Sequence, residues 1–113
     1  MKKYGLFIVM TISVMLLGVS YGFADAADAV DSTVIVMIDG SAFSPEVAIV
    51  KVGGEVVWKN KDASPHTVTA DDGSFDSGSL AQGAEYRRKF ITAGTVKYSC
   101  DIHAYMSGKI EVR

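Results

Sequence analysis

Cysteine and histidine are both scarce in this sequence. Cys100 is the single cysteine among 113 residues, and His66 and His103 are the two histidines. A lone cysteine excludes a disulfide within the chain, so its thiol either serves as a small buried apolar group or has a chemical role. Two histidines also limit the chain to one histidine-rich site.

The sequence lacks a hydrophobic run long enough for a standard membrane span. Leu6–Val19 is shorter than the roughly 20 residues that a span requires, and polar residues dilute it. Two lysines precede this run and small residues follow it, which predicts a secretory signal peptide over residues 1–24. Cleavage is expected after Ala24, with Ala26 and Ala29 as alternatives, and the leader indicates export to a bacterial periplasm. The chain would be attached to the membrane only if the leader stayed uncleaved.

An excess of positive charge is also absent. Removal of the leader takes away Lys2 and Lys3, which leaves 9 basic against 13 acidic residues and a net charge of about −4. Nucleic acid is therefore not an expected partner, because its binding requires basic patches. Residues 25–32 read as a flexible lead-in, and residues 33–113 as one domain.

No helical periodicity is sustained after residue 32, so the sequence predicts an all-β fold. The expected strands are Thr33–Ile38, Val47–Val52, Glu55–Lys59, His66–Ala70, Glu85–Ile91, Thr95–Cys100 and Lys109–Val112. Gly53-Gly54 predicts a hairpin turn between the second and third strands, and Ala93-Gly94 similarly separates the fifth from the sixth. These short strands and frequent turn signals predict a Greek-key β-sandwich of about seven to eight strands.

Alternation of side chains along the strands predicts where two candidate residues point. Cys100 ends the core-facing row of Val96 and Tyr98, and His66 shares a face with Val68 and Ala70. His66 and Cys100 would meet at one end of the sandwich if their strands are neighbours. In the fifth strand, Arg88 falls on the core-facing side, which indicates either a bulge or an edge strand.

The segment C-D-I-H-A-Y-M places Cys100, His103 and Met106 at steps of three. A thiolate, an imidazole and a thioether are soft to borderline donors, which favour copper over calcium or magnesium. His66 supplies a second imidazole from elsewhere in the chain. Two nitrogens, one thiolate and one weak sulfur ligand are the set used for one-electron transfer at copper. By contrast, Asp71, Asp72 and Asp76 miss the spacing of a calcium loop and read as a solvated loop.

The mature chain resembles the cupredoxins, specifically the amicyanin and plastocyanin-like branch. The resemblance is carried by F-S-P at Phe43–Pro45, V-x-x-G-x-x-V-x-W-x-N at Val50–Asn60, P-H at Pro65-His66, F-D-S-G at Phe75–Gly78 and the segment from Gly94 to Val112. It implies a type 1 copper protein with one copper ion per chain that cycles between Cu(I) and Cu(II). The implied strong ligands are His66, Cys100 and His103, with Met106 as the axial ligand.

The resemblance also implies a monomeric carrier that shuttles single electrons through the edge of His103. Its expected partners are larger redox proteins, namely a donor dehydrogenase and an acceptor such as a cytochrome. Pro65, Ala104 and Tyr105 form the expected apolar patch for docking. Copper storage or delivery is the alternative function. An enzyme is not expected, because the reduction of oxygen or nitrite needs an additional histidine-ligated copper and two histidines cannot supply both sites.

The chain departs from the family pattern beside the ligands. Many relatives have Asn after the first histidine and Thr or Ser after the cysteine, a pair that braces the ligand loop. Thr67 and Asp101 stand at these positions here, and Thr67 is a candidate to bond Asp101 instead. Ala104 replaces the Pro that commonly follows the second histidine in the amicyanin branch.

Overall fold

The structure is a computed structural model that describes residues 32–113. Eight strands lie in this part of the chain: β1 Thr33–Ile38, β2 Phe43–Ser44, β3 Val47–Val50, β4 Gly54–Asn60, β5 Thr69–Ala70, β6 Glu85–Phe90, β7 Gly94–Ser99 and β8 Ser107–Val112. The predicted signal peptide lies outside the described residues, as do residues 25–31 of the predicted lead-in. Within residues 32–113, no helix is long and apolar enough to cross a membrane.

The strands form two four-stranded sheets. One sheet has the order β2-β1-β4-β6 and the other has the order β3-β8-β7-β5. The pairs β1–β4 and β3–β8 are parallel, and the remaining pairs are antiparallel. Two parallel pairs cannot be joined by tight hairpins, so the chain crosses repeatedly between the sheets. The prediction of an all-β sandwich of seven to eight strands is confirmed.

The core fills the space between the two sheets. Alternate residues of β1 and β4 point inward, including Val36, Ile38, Val56 and Trp58. Val57, between the last two on β4, is buried as well. The Trp58 ring packs edge-on against Tyr98 of the opposite sheet, with centroids 5.4 Å apart. Apolar burial of this kind is the main stabilising contribution in a domain of this size.

Two predicted turns join strands of different sheets and not the paired strands of a hairpin. Gly53-Gly54 does not close a hairpin, because β3 pairs with β8 while β4 pairs with β1 and β6. The turn instead carries the chain from one sheet to the other. A Cβ on Gly54 would lie 2.6 Å from Val50 Cγ2, so close packing explains this glycine. Ala93-Gly94 likewise connects β6 and β7, which belong to different sheets.

The other differences concern strand extent. The predicted strand His66–Ala70 is regular only over Thr69–Ala70, and His66 forms an isolated bridge with Leu80 instead. The two-residue strand β2 was not predicted, because it is too short to show alternation. β6 lies at a sheet edge and pairs with β4 in unbroken register, so the edge explanation for Arg88 is correct and no bulge is needed. The Arg88 guanidinium lies 5.0 Å from the centroid of the Phe75 ring.

The inward row of β7 leads directly to the candidate site. Tyr98 is buried and lies opposite Gly108 of β8. A Cβ on Gly108 would collide with the Tyr98 ring, so this glycine makes room for the aromatic side chain. Cys100 follows two residues later and is also buried, as the alternation predicted.

Candidate metal centre

Cys100 directly follows β7 and opens the loop that returns the chain to β8. Its backbone N–H donates to the carbonyl of Met106 at 3.1 Å, and the Met106 N–H donates to the carbonyl of His103 at 2.9 Å. These bonds close the loop tightly and turn His103 back toward the cysteine. The His103 N–H donates to Cys100 Sγ at 3.4 Å.

His66 enters from the other side of the site, after the loop that follows β4. Its N–H donates to the carbonyl of Leu80 at 3.2 Å, and the Leu80 N–H donates to the carbonyl of His66 at 2.7 Å. The next residue, Thr67, donates its N–H to Cys100 Sγ at 3.3 Å. The backbone on both sides of His66 is therefore fixed, and its side chain is 0% exposed.

Three donor atoms from distant parts of the chain converge. His66 Nδ1 and His103 Nδ1 lie 3.1 Å apart. Cys100 Sγ lies 3.9 Å from each of these two nitrogens. Ligands bound at roughly 2.0–2.3 Å to a shared ion lie roughly 3–4 Å from one another, so the geometry fits a common metal ion. His66, Cys100 and His103 are also the cluster that stands out among the described residues as able to hold a metal.

The environment of Cys100 favours its thiolate form. Burial of the sulfur opposes ionisation, but hydrogen bonds to the sulfur, above all from the Thr67 and His103 backbone N–H groups, outweigh it. Together they lower the pKa of Cys100 from 9.0 to about 6. A thiolate is the form of cysteine that binds a metal, so the site has its anionic sulfur ready at neutral pH.

Met106 closes the ligand loop and is buried, with 2% of its surface exposed. Its backbone contacts with Cys100 and His103 place it at the base of β8, on the same side of the sandwich as the three converging donors. A soft thioether at this position suits copper and does not suit hard cations.

A chain of hydroxyl groups braces the residue after the cysteine. The Asp101 N–H donates to Thr67 Oγ1 at 2.7 Å, and Thr67 Oγ1 lies 3.0 Å from Thr69 Oγ1. Thr69 Oγ1 donates to the Asp76 carboxylate at 3.2 Å. Because an ionised carboxylate only accepts, Thr67 must donate to Thr69, and all hydrogen bonds in the chain run toward Asp76. The candidate Thr67–Asp101 bond is present, and it is made by the Asp101 backbone.

The sequence analysis did not identify two residues that lie near the site, Asp62 and Ile102. Asp62 accepts a hydrogen bond from His66 Nε2 at 2.9 Å. A carboxylate four residues before a candidate ligand histidine was the available signal, since ligand histidines commonly bond carboxylates through the other nitrogen. Ile102, inside the ligand loop, is 47% exposed and enlarges the apolar surface beside His103.

The three residues predicted for docking lie at the surface beside the site. Pro65 and Ala104 are exposed, and Tyr105 is 74% exposed with its ring centroid 6.0 Å from that of His103. His103 itself is half-buried, unlike His66. The site therefore has a buried side and an apolar surface side, and His103 links them.

Comparison with known proteins agrees with this geometry. A family model described as a cupredoxin-like domain matches residues 8–112. Amicyanin from Paracoccus denitrificans is 33% identical over 97 residues, covering 77% of this chain and 70% of that protein. Plastocyanin from Scenedesmus fuscus is 35% identical over 98 residues, covering 74% of this chain and all of that protein.

The fold agrees as well. A solved structure of an oxidized amicyanin mutant superposes with a TM-score of 0.68 at 29% identity, over 71% of this chain and 81% of that structure. Copper is the cofactor indicated by these relatives and by the donor set. The chain belongs to the cupredoxin-like family, in the branch of amicyanin and plastocyanin.

Proposed function

We propose that this protein is a type 1 copper protein that carries single electrons between larger redox proteins. The observation that carries the proposal is the convergence of His66 Nδ1, His103 Nδ1 and Cys100 Sγ within 3.9 Å of one another. These three residues would hold copper as the strong ligands, and the buried thioether of Met106 would supply a weaker fourth ligand. Copper, when bound, supplies the one-electron couple between Cu(II) and Cu(I).

The protein's contribution is to hold the ligands in one arrangement in both oxidation states. Cys100 is 1% exposed and receives two backbone N–H bonds, while His66 is held on both sides by backbone pairing with Leu80. A packed ligand set limits the rearrangement that accompanies each electron transfer, because side chains in a dense core cannot shift freely. This rigidity favours fast transfer in both directions.

Electrons enter and leave through the edge of His103. Pro65, Ile102, Ala104 and Tyr105 surround this edge with exposed, largely apolar surface. Such a patch suits small, short-lived interfaces, which a carrier needs in order to release each partner. A donor dehydrogenase and an acceptor such as a cytochrome are the proposed partners, and the carrier works as a monomer.

The proposed location is the bacterial periplasm. The N-terminal lysines, apolar run and small residues read as an export signal, which supports this location. An exported protein with one thiol also needs protection of that thiol from oxidation, and burial with a metal ligand role supplies it.

Storage or delivery of copper is the competing function. Exchange of a metal with a partner requires accessible ligands, whereas His66, Cys100 and Met106 are all at most 2% exposed. Catalysis is also disfavoured, because both histidines of the chain belong to the one site and none remains for a second copper.

The test is spectroscopic. The mature protein is loaded with Cu(II), and its visible and electron paramagnetic resonance spectra are compared with those of Cys100→Ser. We expect an intense blue band in the parent protein and its complete loss in the variant, since the band arises from the copper–thiolate bond. A pale tetragonal signal in the parent protein would instead support storage and overturn the carrier proposal.

A further inference from the structure

The carboxylate of Asp62 connects a backbone turn to the imidazole of His66. Asp62 Oδ1 accepts the Gly40 N–H at 2.9 Å, and Oδ2 accepts the Ser41 N–H at 2.9 Å. The same Oδ2 accepts from His66 Nε2 at 2.9 Å. Gly40 and Ser41 lie between β1 and β2, so one side chain joins the β1–β2 turn to the candidate metal centre.

This contact fixes the position of the proton on His66. Each oxygen of the Asp62 carboxylate accepts a backbone N–H group, Oδ1 from Gly40 and Oδ2 from Ser41, so this side chain acts as an acceptor at both oxygens. An ionised carboxylate has no proton to donate, so Nε2 must carry the hydrogen. Nδ1 is then the nitrogen left to bind a metal, and it is the one that faces Cys100 Sγ.

The turn that holds Asp62 has an unusual backbone. Gly40 has φ of 65° and Ser41 has φ of 56°, and Ser41 is the single non-glycine residue with positive φ within residues 32–113. Two successive residues of this kind point their N–H groups into one concave site for an anion. A serine in the left-handed region costs stability, and strain of this kind persists where the surrounding structure uses it. Here the anion is Asp62.

The neighbouring loop holds Asp62 from its other side. The Asp62 N–H donates to the side-chain oxygen of Asn60 at 2.9 Å. The Asn60 amide donates to the carbonyls of Ser64 and Leu80 at 3.0 and 2.9 Å. Asn60 is fully buried at the end of β4, so Asp62 is anchored on a rigid strand rather than on a free loop.

We propose that Asp62 is a positioning residue for the copper ligand His66: it sets the tautomer and the ring orientation, and its charge favours Cu(II) over Cu(I). The inference rests on the proposed function, in which His66 binds copper through Nδ1. A carboxylate bonded to a ligand histidine makes the ring a stronger donor, and loss of such a partner typically weakens metal binding about 10–100-fold. The negative charge also stabilises the more positive oxidation state and lowers the reduction potential.

The variant experiment compares Asp62→Asn with Asp39→Asn. Both substitutions remove one negative charge from the same part of the molecule. Asp39 is exposed, and the bonds from this turn to Asp62 come from the backbone of Gly40 and Ser41. We expect Asp62→Asn to weaken Cu(II) binding about tenfold or more and to raise the reduction potential further than Asp39→Asn does. Equal affinities and equal potentials in the two variants would overturn the proposal.

A second measurement needs no variant. In nitrogen-15 NMR spectra of the parent protein, metal-free and loaded with Cu(I), His66 is expected to carry its proton on Nε2 and to exchange that proton more slowly than His103 does. A His66 proton on Nδ1, or one that exchanges as fast as that of His103, would overturn the proposal even if Asp62→Asn failed to fold. Absence of a blue band in the parent protein would overturn the proposed function alone, because the metal-free spectrum still reports the Asp62–His66 bond.

Discussion

His66 and His103 present the same atom to the same sulfur at the same distance of 3.9 Å, yet their surroundings differ. His66 is fully buried, paired through its backbone to Leu80 and bonded to Asp62 through its second nitrogen. His103 is half-buried in the loop between β7 and β8, beside an exposed tyrosine. One histidine anchors the metal centre to the sandwich, and the other brings it to the surface.

The comparison is tested most strongly by removing each ring in turn. Added imidazole should restore the blue band in His103→Gly, because the missing ring leaves a gap that opens to solvent. It should not restore the band in His66→Gly, where the gap is closed by the core. Visible absorption during an imidazole titration measures the difference. Equal recovery in both variants would show that the two sides of the site are equally accessible.

A second prediction concerns the thiolate of Cys100, which both histidines face. In the metal-free protein the pKa of Cys100 is about 6, against 9.0 for an ordinary thiol. Since the folded state holds the thiolate more strongly, its stabilising contribution is complete above pH 9, declines as the pH falls, and is gone below about pH 6. The free energy of unfolding should therefore rise by about 1.4 kcal/mol per pH unit across this window.

Denaturant unfolding of the metal-free protein at several pH values measures this slope. Cys100→Ser is the control, because its hydroxyl does not ionise in this range. The difference between the two proteins isolates the thiol. A difference that stays constant from pH 6 to pH 9 would contradict the lowered pKa.

The contrast between the two histidines also explains what sequence can predict. Alternation along β7 placed Cys100 in the core-facing row, and the step of three to His103 predicted the ligand loop. Both are local patterns, and the structure brings Cys100 and His103 together. The sequence predicted that His66 lies near Cys100 only if the strands that carry them are neighbours. The two side chains do meet, although the predicted strand around His66 is regular only at Thr69–Ala70.

Other features depend on contacts between distant parts of the chain, which no local pattern shows. Gly53-Gly54 predicts a hairpin because two glycines suit a two-residue hairpin turn. The pairing of β3 with β8, rather than with β4, shows that no hairpin forms there. Asp62 was missed for the same reason. Its two backbone donors lie more than 20 residues away, at Gly40 and Ser41.

A third prediction concerns the bond that joins the two sides of the site. Thr67 follows the anchored histidine, and its hydroxyl accepts the Asp101 N–H of the ligand loop. Thr67→Val keeps the shape but removes this acceptor, which should lower the free energy of unfolding by about 1 kcal/mol. Chemical denaturation measures the loss. Thr95→Val, on an exposed position of β7, is the matched control. Equal stability of the two variants would mean that the hydroxyl chain does not brace the loop.

The smallest expected effect is the change in reduction potential caused by the exposed carboxylate of Asp101. Asp101 is exposed, so solvent and salt screen its carboxylate more than that of the partly buried Asp62. Asp101→Thr removes this charge and keeps the backbone N–H that bonds Thr67, which separates the electrostatic effect from the brace. We expect a higher reduction potential, because a nearby negative charge favours Cu(II), and a smaller rise than in Asp62→Asn. Protein-film voltammetry at low and high salt measures both shifts. An unchanged or lower potential in Asp101→Thr would show that this carboxylate does not act on the metal. A larger rise than in Asp62→Asn would show that Asp101, in the ligand loop, affects the reduction potential more than Asp62 does.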